Sequence, residues 1–166
     1  QIIFSENDRF EKVKTWDEKL DGSFAQFCQE MSNDQIEEEF NLTEKIDYLV
    51  ESKYSLPSGG NIMIGKTDAL TAIDVNTGAA KRFDTNREAI HLIGKLIKLK
   101  NISGKVVVDP AASDQNTLRK LVGMLKNEFR DDLSITNVYG YTRGGLLELS
   151  RSRNDRCIDE LKFTSK

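Results

Sequence analysis

SGGNIMIGKTDALTAIDVNTG, residues 58–78, holds two short runs rich in Ile, Leu, Thr and Val, residues 61–65 and 69–75, on either side of Lys66, Thr67 and Asp68. Such runs read as a β-hairpin, because branched apolar side chains suit a pleated, half-buried surface while Thr and Asp hydrogen-bond their own backbone in turns. Asp74 falls near the end of the second run, between Ile73 and Val75. Those neighbours predict a buried or half-buried strand, where a carboxylate is costly unless a cation or a hydrogen-bond donor pairs with it.

Downstream, strand and helix signals alternate. Thr85, Asn86, Arg87 and Glu88 have the spacing of a capping box, and Ala89, Leu92, Ile93, Leu96 and Ile97 recur at helical period, with Glu88, His91, Lys95 and Lys98 on the other face. Residues 105–109 are a β-branched run stopped by Pro110, which puts Asp109 at a strand's carboxyl end, as Asp74 is expected to be. A further helix is predicted from about Asp114, with Leu118, Leu121, Val122, Leu125 and Phe129 on one stripe, and residues 133–138 and 146–150 read as strands. This order predicts an α/β fold, with α+β as the alternative: a layered mixed sheet flanked by helices. Helix-connected strands imply a parallel pair, with ligands gathering outside the strands' carboxyl ends.

Upstream, residues 2–4 read as a strand, and Asn7 or Asp8 as the cap of a helix burying Phe10, Val13 and Trp16. Residues 24–31 fit no single period. Asn41 to Glu44 suggest a second capping box, followed by Leu42, Ile46, Leu49 and Val50 on one face. The Leu56, Pro57, Ser58, Gly59, Gly60 cluster marks the expected subdomain boundary, so the chain divides into residues 1–57, 58–156 and a tail, 157–166.

With 166 residues and 38% hydrophobic content, the chain can bury one ordinary core or two small ones. No apolar run is long enough to span a membrane as a helix. Gln rather than Met at position 1 suggests a piece of a longer protein. The net charge of −3 argues against a polyanion binder, but residues 1–60 carry 14 acidic and 6 basic side chains and residues 61–166 carry 13 and 18. The second part, net +5, is the candidate polyanion-binding face. Cys28 and Cys157 stand in no CxxC pattern, so neither a zinc site nor a disulfide framework follows, and a reducing, cytoplasmic setting fits.

Asp74, Asn76 and Asp109 form the sharpest constellation. Two carboxylates ~5 Å apart repel by ~3 kcal/mol at an effective dielectric of 20, so their convergence makes sense around a cation. Oxygen-only ligation points to Mg²⁺, with Mn²⁺ as the alternative, and such an ion activates water for phosphodiester hydrolysis. The competing reading is that both aspartates merely open loops. Lys81, Arg82, Lys100, Arg143, Arg151 and Arg153 are candidate phosphate contacts, against the plainer reading of each as a solvated charge. Phe83 and Tyr141 are candidates for stacking a base or for the core, and His91, with no partner in view, reads as a surface residue.

"LPSGGNIMI" and "TDALTAIDVNTG", then "KVVVD", then "TRGGLLELSRSR", in that order, resemble the catalytic core of the ribonuclease E/G family, strongly over residues 56–153 and weakly over 1–54. The resemblance implies a ribonuclease H-like supporting segment followed by a deoxyribonuclease I-like catalytic subdomain. It also implies an endoribonuclease that cuts single-stranded RNA with a metal-activated water, in RNA processing or decay. Asp74 and Asp109 match the family's Mg²⁺-holding aspartates, Asn76 its orienting asparagine and Arg143 an active-site arginine. Three features depart from the family pattern: Asp109 is followed by Pro110, Ala111 and Ala112 where a further acidic residue is common, the first loop is shorter, and Gly144 replaces an aromatic. The lost carboxylate favours the alternative reading, a degenerate, non-catalytic RNA-binding or scaffold domain. The family's upstream RNA-binding barrel and 5′-end sensor have no counterpart in these residues, so weak binding without 5′-end discrimination is expected. With Cys157 alone after the last motif, no zinc and no zinc-linked dimer are expected.

Overall fold

The computed structural model describes residues 1–79, 82–112 and 114–161. Its chain forms two compact units, Gln1–Tyr48 and Leu49–Lys166.

In the first unit, β1 (Ile2–Phe4) pairs in parallel with β2 (Cys28–Glu30). Between them run α1 (Asn7–Asp17) and a 3-10 turn, Ala25–Phe27. The turn is held from α1, because the buried Asp17 carboxylate accepts hydrogen bonds from the Phe24 N–H at 3.0 Å and the Ala25 N–H at 2.7 Å. Glu6 precedes α1 without a side-chain cap, and Trp16, expected in its buried stripe, is 62% exposed. α2 (Asn33–Phe40) starts at a capping box made by Ser32 and Gln35 that the sequence reading passed over. The box expected at Asn41 does not form. Asn41 is the left-handed C-cap of α2, and its amide donates to Glu44 in α3 (Leu42–Val50).

The second unit is built on a six-stranded mixed sheet, as the α/β reading anticipates. β3 (Lys53–Ser55), β4 (Asn61–Lys66), β5 (Thr71–Asn76), β6 (Gly104–Asp109), β7 (Thr136–Tyr141) and β8 (Leu147–Arg151) lie in the order β3-β4-β5-β6-β8-β7. Among the described residues of this sheet the β5–β6 pair alone is parallel, joined through α4 (Arg82–Leu99); α5 (Gln115–Glu128) follows β6. The 58–78 stretch is the expected hairpin, its turn closed by Thr67, whose N–H and hydroxyl both reach the Leu70 carbonyl at 2.9 Å. The expected division after Pro57 falls on the β3–β4 hairpin turn, inside this unit. There the Leu56 N–H donates to the Gly60 carbonyl at 2.8 Å, and Gly59 takes φ +91°, as three-residue hairpins require.

One face of this sheet is covered and the other is open. Ile62, Ile64, Ile73, Val75, Val106, Val108, Leu147 and Leu149 are buried against the apolar stripes of α4 (Ala89, Ile90, Ile93, Leu96, Ile97) and α5 (Leu118, Leu121, Leu125). Side chains alternate across a strand. The intervening residues Met63, Ala72, Asp74, Asn76, Lys105, Asp109 and Glu148 are exposed on the opposite face. Three local expectations change. Thr85 to Glu88 lie in the second turn of α4 rather than at its cap. Leu133, expected in a strand, is 99% exposed in the loop before β7. His91 has a partner after all, its Nδ1 lying 3.0 Å from Glu128 Oε1 on α5.

Candidate metal centre

Asp74 on β5 and Asp109 on β6 are register partners on adjacent parallel strands, and both point to the open face. Adjacent strands lie ~4.8 Å apart, so the two carboxylates start from neighbouring Cα positions on one face. Of the two expectations for this strand, buried or half-buried, the second holds. The neighbours of Asp74, Ile73 and Val75, face α4 and α5, and alternation carries Asp74 to the opposite side. Asp109 ends its strand, whereas Asp74 sits two residues before the end of β5, so the pair lies on the face of the sheet rather than in a crevice beyond the strand ends. The hydrogen-bond donor implied for Asp74 is Asn76, whose Nδ2 donates to Asp74 Oδ2 at 2.6 Å.

The two carboxylates line a concavity of about 530 Å³ whose other walls include Met63, Gly65, Ala72, Val107 and Leu146. Among the described residues no group of three or more His, Cys, Asp or Glu side chains is placed to hold a metal. The donors present are two carboxylates, those of Asp74 and Asp109, which offer oxygen ligands only. Mg²⁺ is bound this way, through one or two carboxylates with several waters retained and substrate phosphate oxygens completing the shell. The residues present fit such an ion, and two neighbouring carboxylates on a paired register gain from it by losing their mutual repulsion.

Loops around the pair are held from α4. Buried Asn86 accepts from the Ala111 N–H at 2.9 Å and donates to the Ala111 carbonyl at 3.1 Å, fixing the turn that follows Asp109. Buried Thr85 meets Ser58 hydroxyl to hydroxyl at 3.1 Å, and Glu88 accepts from the Ser58 N–H at 2.9 Å. At Gly60 a Cβ would stand 2.4 Å from the Asn76 carbonyl oxygen, so the end of β5 and the β3–β4 turn approach as only glycine allows. The sequence reading took Thr85, Asn86 and Glu88 for a cap. The signal against that reading is that Thr85 and Asn86 lie one turn before Ala89 and Ile90 on the core-facing stripe, where polar groups need partners.

Arg143 is exposed in the five-residue turn between β7 and β8, and Gly145 of that turn approaches the Ala112 carbonyl in the loop after Asp109. Arg143 makes no ion pair among the described residues. Lys100 and Arg151 are corrected to structural roles. Lys100 is 2% exposed, and its ammonium reaches Asp159 Oδ1 at 3.2 Å and the Glu51 carbonyl at 3.0 Å. Arg151 points to the covered face; its Nε donates to Asp132 Oδ2 at 2.8 Å, Nη2 to Asp132 Oδ1 at 3.1 Å and Nη1 to the Ile102 carbonyl at 3.1 Å. The guanidinium holds the Asp132 carboxyl down to about 2. Arg153 is exposed and paired with Glu160 at 2.6 Å. Lys81 and the side chain of Arg82 lie outside the described residues. Tyr141 packs against the core, and Phe83 is exposed under the Lys120 ammonium.

No helix among the described residues is long and apolar enough to cross a membrane. A model of the ribonuclease E/G family matches residues 1–154. Ribonuclease E of Buchnera aphidicola subsp. Acyrthosiphon pisum is 35% identical over 133 residues, which is 73% of this chain and 14% of that protein. Ribonuclease G of Escherichia coli (strain K12) is 30% identical over 131 residues, 74% of this chain and 27% of that protein. Ribonuclease G of Haemophilus influenzae is 30% identical over 139 residues, 78% of this chain and 28% of that protein. The match thus spans less than a third of the length of each of these relatives.

Proposed function

Since the chain belongs to the ribonuclease E/G family, we propose that its second unit is the hydrolytic core of an Mg²⁺-dependent endoribonuclease acting on single-stranded RNA. In this reading the six-stranded unit is the deoxyribonuclease I-like catalytic subdomain, and the ribonuclease H-like segment before it is a support. The observation that carries the reading is the register pairing of Asp74 with Asp109 on the open face of the sheet. Two free cysteines agree with a reducing, cytoplasmic setting.

Mg²⁺ bound there supplies an activated water and neutralises charge on the scissile phosphate. Asp74 and Asp109 would be its ligands. Asn76 fixes the rotamer of Asp74 by its 2.6 Å hydrogen bond to Oδ2. Asn86 holds the loop behind Asp109, so that neither ligand has to be ordered when the ion arrives. Arg143, exposed and without an ion pair among the described residues, is the phosphate-binding cation of the group, and its fork suits bidentate contact with phosphate oxygens.

The alternative, a non-catalytic RNA-binding domain of the same family, is favoured by Pro110, Ala111 and Ala112 following Asp109 where the family pattern has a further acidic residue. Incubating the purified chain with single-stranded RNA and single-stranded DNA of one sequence, with Mg²⁺, Mn²⁺ or chelator, separates the two. Metal-dependent RNA cleavage supports the nuclease reading. RNA binding without cleavage in either metal supports the alternative. Cleavage of DNA alone overturns both.

A further inference from the structure

The open face does not end at the aspartates. Lys105 on β6 and Asn137 on β7 are both register partners of Ser150 on β8, so the three form one row across the sheet. Lys105 lies on the same strand and the same face as Asp109, four residues away, which is roughly 13 Å. It is exposed and makes no ion pair among the described residues.

Tyr139 stands over this row. A bulge between Val138 and Gly140 places Tyr139 and Gly140 together opposite Glu148, and Gly140 adopts φ +140°, a conformation open to glycine. Tyr139 is thereby released from the regular pairing, and its hydroxyl meets Ser150 Oγ at 2.6 Å. That hydrogen bond ties the tip of the ring to β8 on the open face, yet the residue remains 68% exposed. A tethered aromatic ring open to solvent, two strands from an exposed ammonium on the same face, is suited to binding single strands. A base stacks on the ring at no sequence cost, and the cation takes the backbone phosphate.

We propose that Tyr139 is a base-stacking platform, and Lys105 a phosphate contact, for a single strand of RNA crossing the open face toward Asp74 and Asp109. This rests on the nuclease reading for its substrate class and adds the path by which that substrate is positioned. Glu148, on the same face between the row and Asp109, repels phosphate. The backbone therefore passes on the β6 side, over Lys105, with the base turned toward β7.

The test is binding of the whole chain, in chelator so that nothing is cut, to a fluorescent single-stranded RNA and to an abasic ribose-phosphate oligomer of the same length. Tyr139→Ala is expected to weaken RNA binding about tenfold and abasic binding by less than about twofold, while Tyr139→Phe binds RNA like the parent. Lys105→Ala is expected to weaken both ligands and to lower the salt slope by about 0.7. A wild-type chain that binds no single-stranded RNA, a Tyr139→Ala variant that binds RNA like wild type, or equal loss on RNA and abasic oligomer overturns the platform. Adding Mg²⁺ to the same samples keeps the two readings apart. Base-dependent binding through Tyr139 without cleavage removes the nuclease and leaves the platform, and cleavage indifferent to Tyr139 does the reverse.

Discussion

Asp74 pairs with Asp109 across parallel strands β5 and β6, and the pair is exposed on the sheet face opposite α4 and α5. Carboxylates left adjacent and solvated on a sheet face add nothing to the fold, because Ile73, Val75, Val106 and Val108 on the same strands supply the packing on the other side. Function and stability are therefore separable at these two positions.

Asp74→Asn and Asp109→Asn are each expected to lower RNA cleavage by at least about a hundredfold, the loss of a metal ligand costing about 3 kcal/mol or more at 1.4 kcal/mol per tenfold. Denaturant midpoints without metal should stay level or rise, because one of two neighbouring like charges is gone. Parallel cleavage assays and urea melts check both halves.

Asn86→Ala is expected to behave in the opposite way. It leaves the N–H and carbonyl of Ala111 without their partner, a loss of about 1 to 3 kcal/mol in the urea melt. It also frees the loop behind Asp109, so the Mg²⁺ concentration for half-maximal cleavage should rise. A melt unchanged from wild type would show that water replaces the amide at no cost.

The fold was legible in the residues where one period ran without interruption. The alternating 61–76 stretch, the β-branched run ending at Asp109 and the stripe from Ala89 to Ile97 each specify an element, and the helix between the two strands implies their parallel pairing. What was not legible depends on contacts distant in sequence. Nothing near Lys100 or Arg151 announces that Asp159 and Asp132 will meet them, so both looked like surface cations. Thr85 and Glu88 have cap spacing, and only the turn at Ser58 shows what they hold. At the site, Asp74, Asn76 and Asp109 could be named from the sequence, but not the face on which they meet. That face is set by α4 and α5 both packing on the same side of the sheet.

Lys100→Met and Arg143→Ala should accordingly separate. Lys100→Met takes the cation from Asp159 and one of two donors from the Glu51 carbonyl, which keeps the Tyr54 hydroxyl at 2.6 Å, and is expected to lower stability by about 2 kcal/mol, with RNA affinity of the folded protein unchanged. Arg143→Ala is expected to leave the melt within about 0.5 kcal/mol and to weaken RNA binding severalfold, with a shallower salt dependence. Melts and anisotropy titrations on the two variants decide it.

The Asp132–Arg151 pair makes a pH signature. Asp132 titrates near 2 in the folded chain against an ordinary value of 3.8, so the pair contributes stability above about pH 4 and loses it as pH falls toward 2. The shift corresponds to about 2 kcal/mol. Replacing both residues, Asp132→Leu with Arg151→Leu, should flatten this part of the acid limb, whereas Asp132→Leu alone should cost about 3 to 5 kcal/mol by stranding a buried guanidinium. Urea melts between pH 2 and 6 measure all three.

Mn²⁺ titration of the purified chain, followed by electron paramagnetic resonance, tests the shared site most directly, because Mn²⁺ reports its own binding without substrate or turnover. The expected result is one Mn²⁺ per chain, displaced by excess Mg²⁺ and absent from both Asp74→Asn and Asp109→Asn. A wild-type chain that binds no Mn²⁺ at millimolar concentration, or variants that bind it as tightly as wild type, would contradict a metal held between these two strands.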